Sequence, residues 1–115
     1  MVKEGSEDVR PLPFHLDVLV EMQDGEYVAH CLQMDIVATG RSKDEAVSDL
    51  LDLIGAQIDF AVEHGNIENI LRPAPREVWQ KLLRVYYSAK MVHCLTTALP
   101  TAAGRPRMEA AVCYA

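Results

Sequence analysis

Cysteines at metal-binding or redox spacing are missing from this 115-residue chain: Cys31, Cys94 and Cys113 are an odd set with no Cys-x-x-Cys pair. Nothing in that spacing reads as a zinc knuckle or a disulfide framework, so the three thiols are assigned to core packing. Aromatic residues are scarce at 6%. No apolar run approaches the ~18 residues of a membrane span. The first residues, Met1-Val2-Lys3-Glu4-Gly5-Ser6-Glu7-Asp8, carry acids where a signal peptide would carry an apolar stretch. A cytoplasmic protein without membrane contact is the expectation. Neither a Gly-x-x-x-x-Gly-Lys-Ser/Thr loop nor a Gly-x-Ser-x-Gly elbow occurs. Gly40-Arg41-Ser42-Lys43 precedes a helix and could attract an anion, but Asp44 and Glu45 occupy the place a phosphate would take. No cofactor is expected.

What is present is ordinary globular composition, 50% hydrophobic and 24% charged, in a length suited to one domain. The net charge of −6 is unevenly spread: residues 1–65 carry −10 and residues 66–115 carry +4. An acidic body repels phosphate backbones and suits a basic protein partner.

Residues 1–13, charged and ending in Pro11 and Pro13, read as a flexible arm. From Phe14 the chain alternates, with Phe14, Leu16, Val18 and Val20 on one face and His15, Asp17, Leu19 and Glu21 on the other. Asp24-Gly25 marks a hairpin turn into a second strand from Tyr27 to Leu32. Ile36-Val37-Ala38-Thr39 is a third strand, closed by Gly40, which tolerates the positive φ of a turn. Ser42-Lys43-Asp44-Glu45 is a capping box, in which Glu45 should reach back to the N–H of residue 42. It opens a helix that runs to about His64, with Gly65 placed after its C-cap and His64 placed to cap the dipole. Apolar residues of this helix, Leu53 and Phe60 included, span roughly 200° of arc, where ~100° covers one sheet face. A second cover is needed. The segment 66–71 could be a short strand or a loop, and Pro75 suits the first position of a helix over about 75–90. Trp79, Leu82, Leu83, Tyr86 and Tyr87 recur there at helical spacing and are the candidate cover for the first helix. Residues 108–114 could form a last strand or remain mobile.

The chemistry-bearing residues do not assemble in sequence. Asp17 and Glu21 share a strand face but stand roughly 13 Å apart along it, too far for one ion. They are read as the solvated face of a half-buried sheet. His30 and Cys31 point to opposite faces of a strand, so they cannot easily bind the same metal ion, and His93-Cys94 has the same spacing. No catalytic residue and no metal ligand is assigned.

The order Phe14–Val20, Asp24-Gly25, Tyr27-Val28-Ala29-His30-Cys31-Leu32, Val37-Ala38-Thr39-Gly40, Ser42-x-x-Glu45-Ala46 and Leu50 resembles the HicB-like antitoxin family. That family carries a tyrosine-bearing second strand, then Thr-Gly, then Glu-Ala on a helix. The resemblance covers under half the chain. It implies an α+β fold, a β-β-β-α-β antiparallel sheet with one long helix packed on it, partial ribonuclease H-like and without that enzyme's catalytic carboxylates. To this the sequence adds a C-terminal helix. Residues 14–72 would form the domain, and residues 73–115 a helix and tail packed on it or on a partner subunit. The resemblance further implies a non-enzymatic homo-oligomer that masks a small basic RNA-cleaving toxin, HicA-like, or an orphan relative with no toxin. The chain departs from the family at Gln33-Met34-Asp35-Ile36-Val37, and residues 75–115 hold no recognisable DNA-binding domain, so direct DNA binding is not expected. Leu53, Phe60, Trp79, Leu83 and Tyr86 are the candidate oligomer or partner interface. A nucleic-acid-binding or nuclease-like protein on the same scaffold is the alternative, and a structural interaction module a further one.

Overall fold

The hairpin at Asp24-Gly25 organises the sheet in the computed structural model, which describes residues 14–66, 69–86, 94–98 and 108–115. Strand β1 (Phe14–Gln23) turns through Asp24, φ 52°, and Gly25, φ 85°, into β2 (Glu26–Cys31), with Gln23 opposite Glu26. Two successive positive φ angles define the two-residue type I′ turn, whose twist matches that of the strands it joins. Strand β3 (Ile36–Gly40) returns antiparallel to β2, with Cys31 opposite Ile36 and Tyr27 opposite Gly40. This meander follows the sequence expectation.

The whole sheet does not stay antiparallel. Strand β5 (Met108–Tyr114) lies parallel to β1, from Phe14 opposite Met108 to Val20 opposite Tyr114, and β4 (Cys94–Ala98) flanks β5 antiparallel. Among the described residues the order is β3-β2-β1-β5-β4, a five-stranded mixed sheet in an α+β architecture with two helices. Cys113 of β5 is disulfide-bonded, and the residue facing it across the β4–β5 ladder is Cys94. Cys31 is a free thiol. The assignment of all three cysteines to packing is corrected accordingly; sequence spacing held no trace of a bond that sheet register creates.

Helix α1 (Lys43–Glu63) starts where Ser42 Oγ accepts from Glu45 N at 3.0 Å. The Glu45 carboxylate accepts from Arg41 N at 2.7 Å, one residue further out than the capping box anticipates. At the other end, His64 Nδ1 donates to Phe60 O at 2.8 Å and Gly65 follows with φ 62°. Lys43 Nζ sits 5.3 Å from the Tyr114 ring and 6.0 Å from the Tyr27 ring, tying the start of α1 to β5 and β2.

Among the described residues the glycines with positive φ are Gly25 and Gly65 and not Gly40, so the turn explanation for Gly40 fails. A Cβ at position 40 would lie 2.7 Å from Ala46 N, and this close approach of strand end to helix is what requires glycine. Gly40→Ala is expected to lower stability by about 1–3 kcal/mol, as overpacking does. The check is a reduced urea midpoint at unchanged slope; a loss below about 0.5 kcal/mol would mean the first helical turn moves aside freely.

Two cores form on the two faces of the sheet. Leu16, Val18 and Val20 meet Leu50, Ile54 and Ile58 of α1, joined by Ala29, Cys31, Ala38, Ala110 and Val112. On the reverse face Leu19, Leu32, Ala74 and Cys113 meet Leu82, with Val78, Trp79 and Val85 packed alongside, from helix α2 (Arg76–Tyr86) and its approach. Leu19, placed by alternation on the polar face, is thus a second core residue. The expectation that α2 covers α1 is overturned: the helices lie on opposite faces of the sheet. A strap before α2 is held where Arg72 N donates to Gln33 O at 2.8 Å and Ala74 N to Leu32 O at 2.7 Å. The described residues of 66–71 form no strand. The N-terminal arm, His93 and residues 87–90 of the expected second helix lie outside the described residues.

Candidate protein-interaction face

Burying Ala46, Leu50, Ile54, Ile58 and Ala61 turns the opposite side of α1 to solvent. That side carries Asp44, Glu45, Asp49, Asp52, Asp59 and Glu63, all exposed, against a single basic residue, Lys43. Among these acids stand two large apolar side chains, Leu53 at 44% exposure and Phe60 at 60%. Seven residues separate them, two helical turns, which puts them on one stripe. Phe60 stacks on His64 with ring centroids 4.1 Å apart, so its orientation is held.

Two depressions flank the stripe. A shallow groove of about 480 Å³ runs between α1 and the edge strand, lined by Ala38, Thr39, Asp49, Asp52 and Leu53. A second cleft of about 400 Å³ opens near the end of α1, lined by Asp35, Gln57, Phe60, Asn69 and Arg72 among others. Asp35, in the left-handed region at φ 54°, accepts from His30 Nε2 at 2.7 Å and so holds the loop that leads into β3.

Of the five interface candidates, Leu53 and Phe60 share the exposed side of α1. Trp79 and Leu83 belong to α2 on the other face; Trp79 is partly buried in the second core and Leu83 is 51% exposed. The Tyr86 side chain lies outside the described residues. The five therefore do not form one surface.

The carboxylates on β1 go to separate partners. Gln33 clasps Asp17, donating Nε2 to Oδ2 and accepting the Asp17 N–H at Oε1, both at 2.7 Å, while His15 Nε2 stands 3.4 Å from the other oxygen. Glu21 pairs with Lys81 Nζ of α2 at 3.2 Å and accepts from Gln23. These side chains are half-covered rather than a solvated face, because Gln33 and Lys81 lie over them. Among the described residues no group of three or more His, Cys, Asp or Glu could hold a metal ion. No described helix is long and apolar enough to cross a membrane.

Burial pushes the Cys31 thiol up to about 11, the Asp17 charge adds to this, and the N–H groups of Met34 and Gln33 act against it. A thiol held that high is almost wholly protonated at neutral pH and is no nucleophile. A thiol-specific chromogenic reagent at about pH 8 is expected to leave Cys31 unmodified in the native protein and to modify it on unfolding. Fast modification of the native chain would contradict the packing described.

Comparison with protein-family models, curated proteins and solved structures found no match to the chain.

Proposed function

We propose that this protein is a HicB-like, non-enzymatic binding protein that oligomerises and masks a small basic RNA-cleaving toxin of the HicA kind, or is an orphan relative of such antitoxins. The observation that carries the reading is the outward side of α1, six exposed acids around Leu53 and Phe60, which no other described element covers. The antiparallel order β3-β2-β1 with α1 packed on it supports the first part of the architecture that the resemblance implies. Inhibition would be electrostatic and steric. The acidic helix draws a cationic RNA-binding surface to itself and raises the rate of encounter, and the apolar stripe then dries the centre of the contact.

The test is capture of the tagged protein from its native lysate, with light scattering for stoichiometry and release of bound protein by high salt. A small basic protein that cleaves RNA when released, and stops when the captured chain is returned, supports the reading. Recovery of the protein as a bare oligomer favours the orphan form. A released partner without RNA-cleaving activity removes the toxin.

A further inference from the structure

We propose that the edge of β3 takes up an extended, basic segment of a partner as an additional strand, seated in the groove beside α1. The proposal rests on the basic-partner reading for the charge of the occupant, and adds to it where and how the occupant is held.

β3 ends the sheet on one side, so its far edge presents alternate N–H and C=O groups to no neighbouring strand among the described residues. Proteins ordinarily blunt such an edge with lysine, proline or an inward charge. Ile36-Val37-Ala38-Thr39-Gly40 has none of these. Val37 is 46% exposed on the reverse face, and the groove of about 480 Å³ opens on the α1 face directly beside the strand. Backbone pairing along an open edge supplies affinity, while side chains that alternate between the two faces supply selectivity.

That alternation defines the occupant. Residues of an added strand that point toward α1 meet Asp49, Asp52 and Leu53. Residues that point the other way lie beside Val37 and Thr39. The matching pattern alternates lysine or arginine with β-branched residues. A second copy of this chain is a poor occupant, because pairing β3 with β3 across a two-fold axis brings the Asp49 and Asp52 of both copies toward each other.

The probe is an acetylated and amidated peptide alternating lysine and valine over about seven residues, enough to span the strand. Its control is the same peptide N-methylated at alternate positions, with equal charge and one edge unable to pair. Hydrogen exchange of the whole chain and a binding isotherm are read together. The expected result is new protection confined to residues 36–40, affinity at least tenfold weaker for the methylated peptide, and a comparable loss for the double variant Asp49→Lys, Asp52→Lys. Equal binding of the two peptides, or protection on another element, overturns the proposal. So does a dimer of the free chain whose β3 amides are already protected. In either case the lysate capture described above still stands or falls by itself, so loss of the edge mode is distinguishable from loss of the basic partner.

Discussion

A chain ending at Arg107 is expected to show no cooperative urea transition and to bind hydrophobic dyes at neutral pH. β5 supplies Ala110 and Val112 to the core under α1 and Cys113 to the core under α2. It pairs along its length with β1 and also carries β4, which among the described strands pairs with β5 alone. Removing it therefore opens both cores, exposes the inner edge of β1 and detaches β4 in one step. A domain of this size is stable by roughly 5–15 kcal/mol, and losing several fully buried side chains together with two ladders exceeds that. Circular dichroism against urea is the check. A cooperative transition within about 1 kcal/mol of the full chain would show that residues 14–86 form a self-sufficient unit.

Ile54→Ala is the single substitution with the largest expected effect, a loss of about 3–4 kcal/mol from lost burial plus the cavity left behind. Ile54 is fully buried beneath α1, where the helix crosses β3 and β2, and its neighbours are fixed by sheet pairing, so the site cannot collapse to fill the void. Leu53→Ala, one residue along, removes a side chain that already faces water and should cost less than about 1 kcal/mol. Chemical denaturation of the two variants reads the sidedness of α1 directly. Similar losses for both would mean that something covers Leu53 in the isolated protein.

The local features of this fold were legible in the sequence because their causes are local. Asp24-Gly25 specified the hairpin, since two successive left-handed residues are cheap only for such pairs. Ser42 and Gly65 bracketed α1, one by accepting an orphan helical N–H and the other by adopting positive φ. What was not legible depended on partners distant in the chain. Alternation put Leu19 with His15, Asp17 and Glu21; one apolar residue in a polar row shows that a face is buried only once α2 is known to lie over it. Ala110-Ala111-Val112-Cys113 has no alternation because both its faces are covered, and a short apolar run of that kind does not announce its direction or its neighbours. Its parallel pairing with β1 joins residues more than ninety positions apart, and so does not show in any window of the sequence. The same distance explains the error over α2: its stripe showed that it covers something, and only the sheet decides which face.

The candidate interface was half legible for a related reason. Leu53 and Phe60 stood out because the apolar arc of α1 exceeds what one sheet face can hide. The groove beside them was missed. Its signal was available in the uncharged edge strand Ile36–Gly40 and in the spacing of Asp49 and Asp52, which sets both carboxylates on one flank of the helix.

The placement of the two helices also concentrates charge of one sign on one side of the sheet. α1 carries a net charge of −5 on one face, while the +2 of α2, with Arg76, Lys81 and Arg84 against Glu77, is offset by Asp17 and Glu21 beneath it on the other. Neither face therefore offers the α1 face of another copy a complementary surface, and copies of the chain repel one another through α1. That repulsion is strongest at low ionic strength and fades as salt shortens the screening length to about 8 Å near physiological strength. Light scattering across a salt series would show net repulsion between particles falling as salt rises. The apparent mass at high salt, rather than the low-salt value, gives the number of subunits in the particle.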